Sequence, residues 1–272
     1  MRFFDKIGNR KIITVALVSF VFLLILTTCE KKIELDHVIA DYTKTIRLNP
    51  NDASAYYNRG KVYENRQDYD KAIADYTQAI WLDPNYAEAY YDRGNAYYKK
   101  EDYNNAIADF TKTIWLEPNY VSAYYNRGNA YRKKGDYDNA ITDFTKTIRL
   151  EPDYAIAYTN RGKMYVNKYF YDWAITDFTE AIRLDPNNAI SYCGRGDAYM
   201  GKRNFNQAIT DYTQAIQIDP SYVNAYINRG YVYYEKHDYD RLIVDCETAL
   251  NLNPNNVHYK SRLEKAKWLL EQ

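Results

Sequence analysis

The sequence predicts an all-α fold, an α-solenoid built from tandem copies of one helical hairpin. Three observations point there. The seven prolines, Pro50, Pro84, Pro118, Pro152, Pro186, Pro220 and Pro254, stand 34 residues apart without insertion or deletion. A fixed period of this size marks stacked copies of one supersecondary unit rather than a single irregular core. Each interval carries two apolar stripes at helical spacing, and a glycine and an alanine return at the same place in nearly every copy.

The first segment, 1–29, is unlike the rest. Arg2, Lys6, Arg10 and Lys11 precede an apolar run over 12–26 broken only by Thr14 and Ser19, and polar Glu30, Lys31 and Lys32 follow. A basic start, an apolar run shorter than the ~20 residues of a comfortable membrane span and a short exit describe an export signal. Leu26, Thr27, Thr28 and Cys29 resemble a bacterial lipoprotein processing box. That resemblance implies lipidation at Cys29, although Thr28 departs from the small residue usual before the cysteine. An uncleaved signal anchor is the alternative; a buried helix fits poorly, since the run has no polar face. Both leading readings place the rest of the chain outside the cytoplasm, attached to a membrane, because the basic end stays inside.

Residues 30–52 read as a half repeat, a second helix only. Six full copies follow over 53–254. In 53–86, Tyr56, Gly60 and Tyr63 share one helical face, and Tyr69, Ala72, Ile73, Tyr76, Ala79 and Ile80 form a second stripe. The polar stretch 64–68 between them predicts a turn. Asp68 is placed to cap the second helix, Pro84 stops it, and Asn85 is placed to start the next. Gly60 returns as Gly94, Gly128, Gly162, Gly196 and Gly230. A helical glycine costs about 1 kcal/mol against alanine, and close approach of two helix backbones would explain six of them. Ala72, opposite, returns as Ala106, Ala140, Ala174 and Ala208 before becoming Leu242. Residues 255–272 read as a C-terminal capping helix with the stripe Tyr259, Leu263, Ala266 and Leu270.

Tyr56, Gly60, Tyr63, Ala72, Tyr76, Ala79 and Pro84 resemble the tetratricopeptide repeat pattern, with tyrosine for its first tryptophan and its phenylalanine, and Arg59 where leucine is usual. The resemblance implies a right-handed superhelix of helical hairpins. It also implies a concave groove lined by first helices, and protein or peptide binding. Similar exported lipoproteins act as assembly factors or adaptors in the bacterial envelope.

In that family the groove is lined by the first-helix positions after the Tyr56 and Gly60 series. Here these include Tyr57, Tyr91, Tyr125, Lys61, Asn95, Asn129 and Lys163, with Tyr98, Lys99, Arg132 and Lys133 one turn on. Amides of this kind satisfy an extended peptide backbone, and the cations favour a carboxylate. Tyrosines stand where the family's carboxylate clamp has lysines, so a peptide groove is expected and not that clamp. The competing reading is a solvated polar face. At the fourth full repeat Tyr169, Phe170 and Trp173 replace polar siblings and would form an aromatic rim, either a contact or a self-packed cluster. Homo-oligomerisation through that rim gives the second functional reading, a structural spacer.

Arginine recurs at Arg59, Arg93, Arg127, Arg161, Arg195 and Arg229, and aspartate at Asp75, Asp109, Asp143, Asp177, Asp211 and Asp245. Equal and opposite charges in every copy favour a ladder of exposed pairs that sets register over a basic row for an acidic ligand. The full chain balances 36 basic against 36 acidic residues, so no basic field calls for nucleic acid. Three scattered histidines and three cysteines give no metal-ligand spacing, and a disulfide between Cys193 and Cys246 is allowed by their adjoining repeats but not predicted. No phosphate loop, nucleophile elbow or catalytic dyad is present in the sequence. An enzyme, of which an envelope hydrolase would be the version, is not expected; neither is a cofactor nor a metal.

Overall fold

Every 34-residue interval contains two helices because its two apolar stripes are each about three turns long and are separated by residues that cap rather than continue a helix. The computed structural model describes residues 33–255 and 257–271, and among them there is no strand. Residues 33–48 form helix α1. Then come α2 (Ala53–Asn65), α3 (Tyr69–Leu82), α4 (Ala87–Lys99), α5 (Tyr103–Leu116), α6 (Val121–Lys133), α7 (Tyr137–Leu150) and α8 (Ala155–Asn167). They are followed by α9 (Tyr171–Leu184), α10 (Ala189–Gly201), α11 (Phe205–Ile218), α12 (Val223–Glu235), α13 (Tyr239–Leu252) and α14 (Val257–Leu270). The chain divides into two compact units, Met1–Leu116 and Glu117–Gln272. Within each, a helix packs on the one before it and the one after it, as in an all-α solenoid. The export and lipidation signals fall in 1–29, outside the described residues. Among the described residues no helix is long and apolar enough to cross a membrane.

The hairpin turn is fixed by one residue in the left-handed region: Gln67, Glu101, Gly135, Tyr169, Arg203 and His237, with φ between 58° and 77°. It lets the next N–H return to the first helix, as Asp68 does to the Tyr63 carbonyl at 2.9 Å. The Asp68 carboxylate then accepts the Lys71 N–H and caps α3. Asn85 does not start α4. The Asp83 carboxylate accepts the Asn85 N–H at 3.0 Å and shapes the turn, and Tyr86 precedes the helix without a side-chain cap.

The core is a row of second-helix side chains, Tyr76, Phe110, Phe144, Phe178, Tyr212 and Leu242, all fully buried. They correct the reason for the recurring glycines. A Cβ on Gly60 would lie 2.7 Å from the Tyr76 ring, one on Gly94 2.8 Å from Phe110, and one on Gly128 2.9 Å from Phe144. Each of the first five glycines makes room for its own repeat's ring, and Gly230 for Leu242, rather than for a neighbouring backbone.

The arginines and aspartates form forks between the two helices of one hairpin. Arg161 donates from Nε and Nη2 to the two oxygens of Asp177 at 2.8 and 2.7 Å, and Arg59, Arg93, Arg127, Arg195 and Arg229 do the same to their aspartates. The third nitrogen reaches back one repeat: Arg59 to Thr43, Arg93 to Thr77, Arg161 to Thr145, Arg195 to Thr179 and Arg229 to Thr213. The pairs are not exposed, as the sequence reading took them to be. The aspartate side chains are 3–8% exposed, because the guanidinium and the tyrosine ring beside it roof them over.

At the end of the second unit, Ala266 of α14 is buried and Leu263 packs beside Tyr233 and Leu242. Leu270 is exposed, so the seam of the last helix is shorter than the predicted stripe. Cys193 and Cys246 are buried free thiols.

Candidate functional site

In the first unit the candidate side chains are largely occupied with one another. The Tyr57 hydroxyl donates to Asp92 at 2.7 Å, and its ring lies 4.9 Å from Tyr86 and 5.8 Å from Tyr76. Burial and the Asp92 hydrogen bond push the Tyr57 phenol well above its ordinary range. The Lys61 ammonium sits over the Tyr57 ring at 5.5 Å. Tyr91 is half-buried against Phe110, Tyr98 meets Tyr103 edge-on at 5.4 Å, Asn95 is half-buried, and Lys99 is exposed.

The second unit repeats this rung and then breaks it. Asn160 donates to the Tyr125 hydroxyl at 3.1 Å and to Asn129 Oδ1 at 3.5 Å, again joining one first helix to the next. Lys133 is exposed. At the following junction Thr159 replaces the tyrosine and Gly194 replaces the amide. Thr159 turns to Ser191 Oγ at 2.7 Å. A Cβ on Gly194 would lie 2.4 Å from the Phe178 ring, so the ring occupies the room a side chain would take. The missing rung leaves a pocket of about 400 Å³ lined by α6, α8 and α10, with Tyr222 and Asn224 at the start of α12.

Two of the predicted residues, Arg132 and Lys163, meet in this pocket, and Asp197, Ile190 and Met164 join them. Arg132 Nε donates a long 3.4 Å bond to Asn129 Oδ1 and makes no ion pair among the described residues. Lys163 has neither a hydrogen bond nor an ion pair among the described residues. Burial and then the Arg132 charge hold its ammonium below the usual lysine range. Opposite, Asp197 Oδ1 accepts from the Tyr212 hydroxyl and from Asn228 Nδ2, each at 2.7 Å. Burial pushes its carboxyl up to about 6 against those bonds and the Lys163 charge. The Cys193 thiol is pushed up to about 12 by burial and the Asp197 charge, so it is a packing residue and not a nucleophile.

Sequence reasoning placed Asp197 in the groove-lining series without counting it among the binding residues, and missed Gly194 and Ile190. The signal was a break in series: Gly194 stands among Asn58, Asp92, Asn126, Asn160 and Asn228, and Asp197 is the acid among Lys61, Asn95, Asn129, Lys163 and Tyr231. The rim residues lie elsewhere on the second unit. Tyr169, Phe170 and Trp173 are 76, 45 and 60% exposed, with Phe170 5.2 Å and Tyr165 5.3 Å from Trp173. They pack partly on each other and remain open to solvent.

No curated protein matches the chain. Among solved structures it is similar to YrrB, described as a TPR protein with an unusual peptide-binding site: 28% identity, 68% of this chain, 95% of that one, TM-score 0.62. It is similar to MamA at 27% identity over 62% of this chain and 92% of that one, TM-score 0.60. It shares its fold with a tetratricopeptide repeat protein from Parabacteroides merdae ATCC 43184, at 20% identity over 87% of this chain and 94% of that one, TM-score 0.62. Models described as tetratricopeptide repeat match 53–86, 121–154 and 223–256, and one described as TPR repeat matches 34–67, 94–135, 171–203 and 201–236. With the ring-on-glycine packing of the first five full copies, these matches over most of its length establish that the chain belongs to the tetratricopeptide repeat family.

Proposed function

We propose that this protein is a non-enzymatic scaffold, exported and held at a membrane by its N-terminal segment, that binds a protein or peptide through its first helices and serves as an adaptor or assembly factor in the bacterial envelope. The observation that carries the binding role is the pocket in the second unit, where Arg132, Lys163 and Asp197 of three consecutive first helices converge with no hydrogen bond or ion pair between them among the described residues. The peptide-binding site described for YrrB, a protein 28% identical, supports the same use of the fold. The basic and apolar run before Cys29 supports the tether. Cell fractionation with radiolabelled palmitate tests it. A lipoprotein incorporates label and pellets with membranes, and Cys29→Ser loses the label. Pelleting of unlabelled wild type favours the signal anchor, and a soluble wild-type chain contradicts both.

The exposed Tyr169, Phe170 and Trp173 favour a second reading, self-association through the rim. Sedimentation of the detergent-solubilised chain decides it: a monomer that Phe170→Asp/Trp173→Asp leaves unchanged removes this reading.

A further inference from the structure

We infer that the open face of α1 is a docking surface for a helix of another protein, one that carries arginine followed by glycine and completes α1 as a hairpin. The inference is independent of the pocket lined by α6, α8 and α10.

The chain's own hairpins show what this face accepts. A second helix offers an aspartate and, next to it, a ring; the first helix answers with an arginine and, next to it, a glycine. Arg59 forks onto both oxygens of Asp75 at 2.7 Å, and Gly60 leaves the room that the Tyr76 ring fills. The sequence of α1 offers the same pair: residues 39–43 read Ile-Ala-Asp-Tyr-Thr, as do residues 73–77 of α3. Yet no first helix stands before α1 among the described residues. Asp41 and Thr45 are exposed and Val38 and Tyr42 are half-buried, whereas every residue at these positions of α3 is buried. The Asp41 carboxylate has neither a hydrogen bond nor an ion pair among the described residues. The other side of α1 is taken by α2: Thr43 accepts from Arg59 Nη1 at 3.0 Å, and Asp36 pairs with Arg66.

A terminal helix built to face water replaces its inner residues with polar ones. At the other end of the chain α14 does so, with Lys260 and Glu264 in the places of Tyr56 and Gly60. In contrast, α1 keeps Val38, the Asp41–Tyr42 pair and Ile46. It retains the inner face of a hairpin without the helix that covers one.

The chain has no spare helix of the required kind. Its six arginines that fork onto aspartates are engaged within their own hairpins. In α14 Leu263 and Glu264 hold the places of Arg59 and Gly60, and Leu263 already packs beside Tyr233 and Leu242. Ile25 and Leu26, 34 residues before Arg59 and Gly60, supply neither the charge for Asp41 nor the space for the Tyr42 ring. The occupant is therefore an amphipathic helix of a different protein, with arginine and glycine in succession on its apolar face. An aromatic three residues before the arginine would roof the pair, as the Tyr56 ring does at 5.7 Å from the Arg59 guanidinium.

The probe is a labelled peptide copying residues 53–66, held helical by a staple between positions 61 and 65, which are exposed in α2. Fluorescence anisotropy follows its binding to the full chain in detergent. Expected is saturable binding, weakened about tenfold by Arg59→Gln in the peptide and to the same extent by Asp41→Asn in the chain. Gly60→Val in the peptide should weaken it as well. Circular dichroism melting shows that the Asp41→Asn chain is folded. Absent binding, or binding that Asp41→Asn leaves unchanged, overturns the inference. Two further measurements on the chain alone bear on the occupant. A dimer in sedimentation that Asp41→Asn dissociates would mean that a second copy covers the face. Hydrogen exchange as slow over 38–45 as over 72–79 in a monomer would mean that the chain covers it itself. Either result overturns the assignment to another protein; a monomer with fast exchange over 38–45, slowed by the peptide, supports it.

Discussion

Each arginine of the Arg59 series holds its aspartate by two bonds, Arg59, Arg93, Arg161, Arg195 and Arg229 add a third to a threonine of the preceding second helix, and each aspartate is nearly closed to water. Removing one side of such a pair strands the other charge, which costs about 3–5 kcal/mol, whereas replacing both with apolar residues of similar volume costs far less. Asp177→Ala is therefore expected to destabilise the protein by about 3 kcal/mol in urea unfolding, and Arg161→Met/Asp177→Leu by much less. Equal costs for the single and double variants would show that the fork contributes through shape and not through charge. The arginines and aspartates were legible in the sequence as a ladder because their charges repeat in phase. Their burial was not, since a single sequence does not reveal the tyrosine that roofs each guanidinium.

Asp197 belongs to the same scale. Its carboxyl, ordinarily near 3.8, is raised to about 6 by burial, with the Tyr212 hydroxyl, Asn228 and Lys163 facing it and the Cys193 thiol beside it. The folded chain holds this proton more tightly than the unfolded one. The group's stabilising contribution is thus full below about pH 3.8 and lost as pH rises through 6. Asp197→Asn removes the buried charge, so the gain in melting temperature of the variant over wild type is expected to be greater at pH 8 than at pH 5. A gain that shrinks with rising pH contradicts the assignment.

The helical hairpin is decided by complementarity between a glycine on its first helix and a ring on its second. Gly128→Ala would bring a Cβ to 2.9 Å from the Phe144 ring, an overpacking expected to cost about 1–3 kcal/mol. Phe144→Leu in the same chain should recover a good part of that, because a smaller side chain gives way. A double-mutant cycle by chemical denaturation measures the coupling, and additive losses would mean that the glycine serves the helix backbone instead. The two helices, their turn and their length were legible from stripes and prolines. The glycine's partner was not, because periodicity says which face a residue lies on and not what reaches it from across the hairpin. The same limit applies to Tyr57 and Tyr125. Their exposure was inferred from their place on the first helix, yet their hydroxyls join one repeat to the next through Asp92 and Asn160.

At the scale of the whole molecule, repetition builds the fold and departure from it makes the site. Five first helices carry Asn or Asp where α10 has Gly194, and it is at α10 that the pocket opens, between the cations of α6 and α8 and the acid of α10. A regular array supplies stability by nearest-neighbour packing and leaves each rung dispensable for folding, so a rung can be given up for binding. The most direct measurement is photo-crosslinking of the full-length chain in its native envelope, with p-benzoylphenylalanine in place of Ile190 on the pocket wall. The account predicts a discrete adduct that is lost with Arg132→Gln/Lys163→Gln. An absent adduct, or one of equal yield in the double variant, would contradict it.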